Sequence, residues 1–488
     1  MIRINDLIRN IRVISVTGEK DPVIEGIEFD SRRVTPGTLF VADRGTRSDG
    51  HDFIGKAVGS GASAVICEVL PEKPDETVCW IITDDSASAL GIAASEFFGN
   101  PSSRLKLTGV TGTNGKTTIA TLLYRMFTRL GYKCGLFSTV CNYIVITELP
   151  ATHTTPDPIE LNRSLAEMVE AGCDYAFMEV SSHAIDQKRI AGLKFAGGIF
   201  TNLTHDHLDY HKTFDNYLNA KKSFFDSLPS DAFALVNLDD RNGKVMIQNC
   251  KARKYNFSAK GIADFRCNVV EQDFSGMDLR IQGEEVWTRF IGDYNASNLV
   301  AVFAASELLG GSRKEILTIM SDLRSVPGRL EAVDGPGGIT ALVDYAHTPD
   351  ALLNVISTIN KIRAGAKQLI TVIGAGGDRD RSKRPEMAAI TAEGSTKVIL
   401  TSDNPRTEDP EKILDDMEAG ITPEVRRKVL RICDRREAIK TAVMLAGQGD
   451  IVLVAGKGHE NYQEINGIKH HFDDREELKA ALMLKNTR

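Results

Sequence analysis

The sequence predicts an α/β fold built from mostly parallel sheets flanked by helices and divided into three domains. Short continuous apolar runs alternate with amphipathic helical stretches, the pattern of strands buried on both faces of a parallel sheet. At 488 residues the chain is too long for one hydrophobic core. Two turn-rich segments, Asn100-Pro101-Ser102-Ser103 and Ser325-Val326-Pro327-Gly328, mark its boundaries. The expected domains are 1–102, 103–331 and 332–488.

In the first domain, GTLFVA, ASAVICE and CWIITD read as strands, followed by a helix ending near EFFGN. The second opens with the strand LKLTGV. TIATLLYRMFTRLG then places Ile119, Leu122, Leu123, Met126, Phe127 and Leu130 on one helical face, with Gly131 as its stop. YAFMEV, GGIFTNL and FALVNL continue as buried strands. Residues 253–290 alternate instead, which predicts a small antiparallel patch followed by two helices. In the third domain, ITALVDYA, QLITVIGAG, KVILTS and IVLVAG are the strands of a doubly wound sheet. Ligands of such sheets collect at the carboxyl ends of the strands. Arg406 follows one of them, in SDNPRTEDP, where Asp409-Pro410 reads as a helix start.

Composition narrows the function. With 42% hydrophobic and 26% charged residues and a net charge of −7, the chain reads as a soluble protein, with no nucleic-acid partner expected. No apolar run is long enough to span a membrane, and the N-terminus lacks a signal-peptide core. The eight cysteines are scattered without a C-x-x-C pair, as in a reduced cytoplasmic protein.

TGTNGKTT, between a strand and an amphipathic helix, has the composition of a phosphate cradle. Backbone N–H groups and the helix dipole hold the anion, Lys116 reaches its outer oxygens, and the Thr117 hydroxyl can ligate Mg²⁺. The usual spacing would put glycine at 110, where this chain has Val110, so the loop is a variant. Glu179, ending YAFMEV, is the natural second metal ligand. NLTHDHLDYH clusters His205, Asp206, His207, Asp209 and His211. Without a cysteine or an H-E-x-x-H helix, zinc is disfavoured and one histidine beside the nucleotide metal is expected. GAGGDR begins like a dinucleotide fingerprint, but Arg379 stands where the third glycine belongs. By residue type alone Lys221, in YLNAKKSFF, is a surface lysine, and a strand–loop–helix around Arg406 can be an ordinary surface turn.

These motifs, with MEVSSHAIDQKR, GDYNASN, VPGRLE, DYAHTP and AGKGHE, occur in the order found in the Mur ligases. The resemblance spans nearly the whole chain and is nearest to the members that add 2,6-diaminopimelate. It implies an N-terminal UDP-binding domain, a central P-loop-type ATPase domain and a C-terminal Rossmann-like domain for the incoming amino acid. It also implies the reaction: an ATP-dependent amide ligation joining meso-2,6-diaminopimelate to UDP-N-acetylmuramoyl-L-alanyl-D-glutamate for peptidoglycan synthesis, through an acyl phosphate and a tetrahedral intermediate.

By position, the resemblance assigns Gly112, Thr113, Asn114, Gly115, Lys116, Thr117 and Thr118 to ATP, with Asn295, Arg329 and Asp344. Thr117, Glu179, His207 and a carbamylated Lys221 would hold Mg²⁺, and Lys116, Lys221 and His207 would be catalytic. The UDP substrate would meet Phe29, Ser31, Thr46, Arg47, Ser48, His153, Thr154, Thr155, Ser181, Gln187 and Arg189. Diaminopimelate would meet Arg379, Asp403, Asn404, Pro405, Arg406, Gly456 and Glu460. An arginine fork suits the distal carboxylate, which lysine lacks, and a glutamate suits the ammonium.

The alternative is the same ligation with L-lysine, which the unfilled Arg406 would disfavour. A folylpolyglutamate synthetase is disfavoured by DSRRVTPGTLFVA, and a nucleotide-driven switch leaves DNPR and GKGHE without a purpose. A monomer acting in the cytoplasm is expected.

Overall fold

The computed structural model describes residues 2–45, 48–149, 154–204, 206, 208–335, 338–363 and 367–486. Three large sheets follow one another along the described residues. The first has five strands, in the order Val13–Gly18, Cys79–Thr83, Ala62–Cys67, Thr38–Val41 and Gly26–Glu28. Only its edge pair, Val13–Gly18 with Cys79–Thr83, is antiparallel. The helix Ser86–Phe97 covers it, capped by Asp85, whose side chain accepts from the Ser88 N–H.

The second sheet has eleven strands, with Lys106–Thr111 between Tyr175–Glu179 and Gly197–Phe200. Alternation along each strand splits its side chains between two cores. Val110, Tyr175 and Phe177 face one with the helices Lys116–Arg129 and Asp293–Leu308. Leu107, Ala176 and Met178 face the other, with Leu161, Leu165 and Phe224 from the opposite helices. The antiparallel patch expected over 253–290 is not a separate unit. Arg253–Ser258 extends the parallel sheet, Phe265–Asp273 joins it in parallel at Phe257 and Ser258, and two further strands then turn antiparallel. The patch therefore shares the main core: Cys267, Leu279 and Ile281 are buried with Phe303.

The third sheet orders Glu331–Val333, Thr340–Asp344, Ile451–Ala455, Leu369–Ile373, Lys397–Leu400 and Val429–Arg431, all parallel except the first. A separate hairpin, Tyr462–Ile465 and Ile468–His471, turns at Asn466-Gly467, both with positive φ (49° and 78°), the backbone an Asn-Gly hairpin turn requires. All eight cysteines are free. Among the described residues no helix is long and apolar enough to cross a membrane.

Candidate active site

The phosphate loop starts later than the usual spacing places it. The strand continues through Thr111, and Val110 is a fully buried member of it, paired with Glu179 and Ile199. The bend begins at Gly112 (φ 150°), where a Cβ would lie 1.8 Å from Thr201 Oγ1. Gly115 (φ 88°) forms the N-cap of Lys116–Arg129. The end of the neighbouring strand braces the loop. Asn202 accepts the Thr113 N–H at its carbonyl (2.8 Å) and the Asn114 N–H at Oδ1 (2.9 Å). Thr201 Oγ1 donates to the Asn114 carbonyl at 2.6 Å.

Two lysines converge on one carbonyl. Lys116 Nζ donates to Gly112 O (3.0 Å) and Thr113 O (2.8 Å), and Lys221 Nζ donates to Gly112 O at 2.9 Å. Lys221 is not at the surface: it is 1% exposed, with Nζ 4.7 Å from the centre of the Tyr217 ring. Burial, then the positive charge of Lys116, push its ammonium well below the ordinary lysine range, and burial lowers Lys116 as well.

Beside the loop, Glu179 is buried, and its Oε1 accepts the Thr139 N–H at 2.6 Å. Thr117 is buried too, its Oγ1 accepting from Arg329 Nη2 at 3.1 Å. A hydroxyl and a buried carboxylate at the loop's mouth are hard oxygen donors, and they fit Mg²⁺. Thr118, Asn295, Arg329 and Asp344 line a cavity of about 900 Å³ with Asn114 and Gly115. Tyr345, Asp350 and Val355 of the third domain close its far side. Asp344 acts on the turn that carries Arg329: its oxygens accept the Leu330 N–H (2.6 Å) and the Ala346 N–H (2.7 Å), and burial raises its pKa. Asn295 donates Nδ2 to Ile291 O and accepts from Asn298, so its helix fixes it.

The residues expected around the UDP substrate fall into two groups. Phe29 packs on the first domain's core, Ser31 is buried near it, and Ser48 is exposed. The others lie near Glu179: Thr154 Oγ1 accepts from Thr139 Oγ1 (3.1 Å) and Thr155 Oγ1 donates to Glu179 O (2.8 Å). Ser181 caps the next helix. Arg189 joins this group by donating to Thr155 O (2.8 Å) and to Gln187 Oε1. Thr46, Arg47, His153 and His207 lie outside the described residues.

The third constellation sits at the carboxyl ends of Lys397–Leu400 and Ile451–Ala455. Asn404 Nδ2 donates to Glu460 Oε2 at 2.7 Å, and Asn404 Oδ1 accepts from Lys457 Nζ at 3.1 Å. Lys457 is fully buried, 3.3 Å from Glu460 and 3.6 Å from Asp403. Burial, then Asp403, raise the Glu460 carboxyl. Gly456 (φ 115°) leaves room for Asp403, whose Oδ2 would stand 2.8 Å from a Cβ there. Pro405 O crowds Gly377 in the same way, at 1.9 Å. Arg406 (φ 52°) donates Nη1 to Gly377 O at 2.7 Å, and its Nε lies 3.6 Å from Glu464. The guanidinium is therefore not left unpaired in an empty pocket, and its emptiness alone is a weaker bar to lysine than the sequence implied. Arg379 is exposed, and its Nη1 donates to Asp378 O.

Lys457, Asp350 and Lys383 were not named from sequence. Lys457 lies inside GKGHE, but nothing local announces that a lysine is buried between two carboxylates. Asn114 Nδ2 donates to Asp350 Oδ2 at 2.9 Å, and Lys383 pairs with the buried Asp206, so both contacts join the second and third domains across the cleft. Each links residues more than a hundred positions apart, where no sequence pattern reaches.

Three family models match in succession: "Mur ligase family, catalytic domain" over residues 23–98, "Mur ligase middle domain" over 110–306 and "Mur ligase, glutamate ligase domain" over 328–458. A Bacteroides thetaiotaomicron protein named UDP-N-acetylmuramoyl-L-alanyl-D-glutamate–2,6-diaminopimelate ligase is 56% identical over 476 residues, 98% of this chain and 99% of the relative. The chain belongs to the Mur ligase family. A Mur ligase of the same name from Clostridium tetani is 39% identical over 489 residues, 99% of each chain. A solved structure of a ligase with that name superposes with a TM-score of 0.67 at 35% identity, covering 94% of both chains. Thermotoga maritima MurF ligase, solved with ADP, shares the fold at TM-score 0.63 and 19% identity, over 94% of this chain and 97% of its own. The α/β architecture in three Mur ligase domains is thus that of the family.

Proposed function

We propose that this chain is an ATP-dependent ligase that adds meso-2,6-diaminopimelate to UDP-N-acetylmuramoyl-L-alanyl-D-glutamate in peptidoglycan precursor synthesis. The observation that carries the reading is the loop Asp403–Arg406, which sets a cation beside the buried cluster Asn404, Lys457 and Glu460. A diamino diacid presents both charges at its far end. Arg406 would take its carboxylate, and Asp403 with Glu460 its ammonium. Relatives at 56% and 57% identity carry the name of that ligase.

The chemistry follows from what must be activated. A carboxylate resists attack by an amine until its oxygen is converted to a leaving group. Transfer of the γ-phosphoryl of ATP to the D-glutamyl carboxylate gives an acyl phosphate and ADP. The amine of diaminopimelate attacks that carbonyl, and the tetrahedral adduct loses inorganic phosphate as the amide forms. Lys116, arched over the phosphate loop, would neutralise charge on the transferred group, and the backbone of Gly112–Thr118 would hold the phosphates. Asn295, Arg329 and Asp344 would fix the nucleoside end. Phe29, Ser31, Thr46, Arg47 and Ser48 would bind the UDP end, and His153, Thr154, Thr155, Ser181, Gln187 and Arg189 its remainder.

Thr117, Glu179, His207 and Lys221 would hold Mg²⁺, which when bound screens the phosphate charge. Lys221 would do so as a carbamate. Only a neutral amine adds to CO₂, and the buried site of Lys221 favours that form. The monomeric state and a cytoplasmic site of action belong to the same proposal.

The test is a coupled assay of ADP release. Release should require both UDP-N-acetylmuramoyl-L-alanyl-D-glutamate and meso-diaminopimelate; equal turnover with L-lysine would overturn the amino-acid assignment.

A further inference from the structure

Arg406 is held by more than its own loop. The hairpin Tyr462–His471 lays one strand against it: Arg406 N donates to Glu464 O (3.0 Å) and Asn466 N donates to Arg406 O (2.7 Å). The same strand grips the residues before it. Gln463 Nε2 donates to Asp403 O at 2.6 Å, and Asn404 Oδ1 accepts the Glu464 N–H at 2.9 Å. Arg406 has the left-handed φ of 52°, which a non-glycine residue keeps only where its surroundings impose it.

The side chain is restrained as well as the backbone. An arginine has five N–H donors, one on Nε and two on each terminal nitrogen. Nη1 gives one hydrogen to Gly377 O at 2.7 Å, while the Nε edge faces Glu464 Oε2 at 3.6 Å. The arginine side chain is 20% exposed and the glutamate 26%, so water only partly screens the pair. With Nε facing Glu464 and one Nη1 hydrogen on Gly377 O, the second Nη1 hydrogen and the Nη2 hydrogens are the donors a carboxylate would meet.

We propose that Glu464 is a positioning and specificity-determining residue of the amino-acid site, holding the Nε edge of Arg406 so that these donors meet the incoming distal carboxylate. The inference rests on the ligase reading above. Nothing in the local sequence of the Asp403–Arg406 loop points to Glu464. It lies 58 residues downstream and reaches the arginine only because the hairpin folds back on the loop.

A double-mutant cycle tests this with full-length enzyme: wild type, Glu464→Ala, Arg406→Ala and the pair, with Glu464→Gln as the conservative variant. KM is measured for meso-diaminopimelate and for ATP, and thermal midpoints check folding. Glu464→Ala should raise KM for diaminopimelate about three- to tenfold, and that for ATP less than about twofold. Glu464→Gln, which keeps an acceptor oxygen, should fall between. In the Arg406→Ala background, Glu464→Ala should change KM for diaminopimelate by less than about twofold. An equal effect with and without Arg406, or equal effects on both substrates, would overturn the inference and leave the ligase reading standing. Turnover of lysine but not diaminopimelate by the wild type would instead overturn that reading, and this inference with it.

Discussion

Arg329 Nη2 donates to Thr117 Oγ1 at 3.1 Å, linking the segment that enters the third sheet to the first turn of the phosphate-loop helix. Its guanidinium also sits over the Tyr345 ring, 4.5 Å from the centroid. Arg329→Ala removes a charged donor from the cavity wall, where such a hydrogen bond contributes about 1.5–3 kcal/mol. KM for ATP should therefore rise at least about tenfold, with little change for diaminopimelate. Steady-state kinetics with each substrate varied decide the matter; equal shifts would make the arginine a structural strut.

Lys116→Ala should reduce kcat by about 10²–10³, the range seen when one preorganised donor to developing charge is lost. The thermal midpoint should not fall in parallel, because the deleted ammonium is itself disfavoured by burial. A matching collapse of stability would mean that Lys116 holds the loop rather than the phosphate.

Arg406→Ala should raise KM for diaminopimelate about ten- to a hundredfold and leave that for ATP within about threefold. The loop backbone survives the change, since its contacts to Glu464 and Asn466 are made by main-chain atoms. Comparable effects on both constants would refute the carboxylate role.

A pH prediction concerns His459, whose ring burial pushes from an ordinary 6.5 to about 3, helped by the positive charge of Arg329. The unfolded chain takes up a proton as pH falls through about 6.5, while the folded chain resists until about 3. The stability contributed by the neutral ring is therefore complete above pH 6.5 and is lost progressively between 6.5 and 3. Urea titrations across that range should show a shallower acid slope for His459→Gln than for the wild type. Parallel slopes would remove His459 from the account.

The sheets were legible because buried parallel strands are short and uniformly apolar, as IVLVAG is, and because helix caps such as Asp409 act within a few residues. The strand–loop–helix around Gly112–Gly115 was legible for the same reason, and the odd Val110 resolves once the strand is seen to continue to Thr111. What escaped was long-range. The burial of Lys457 depends on two strand ends meeting, and the pairing of Lys383 with Asp206 spans two domains. The alternation over 265–288 revealed strands, but not that they would join the sheet already begun. By residue type alone Lys221 belongs to the same class: on its helix it reads as solvent-facing, the family resemblance alone put it at the site, and the packing of Tyr217 and Gly112 around it shows it buried.

The cavity of about 900 Å³ has Asn114 and Asn295 on one side and Tyr345 and Val355 on the other, and these pairs belong to different domains. On the ligase reading, a nucleotide seated there would be a bridge as well as a ligand, and release of spent ADP would require its two banks to part. Under that reading, product release would work against solvent friction. Turnover should slow as glycerol thickens the medium, at a rate set by hydrodynamics and not by the chemistry of the amide bond.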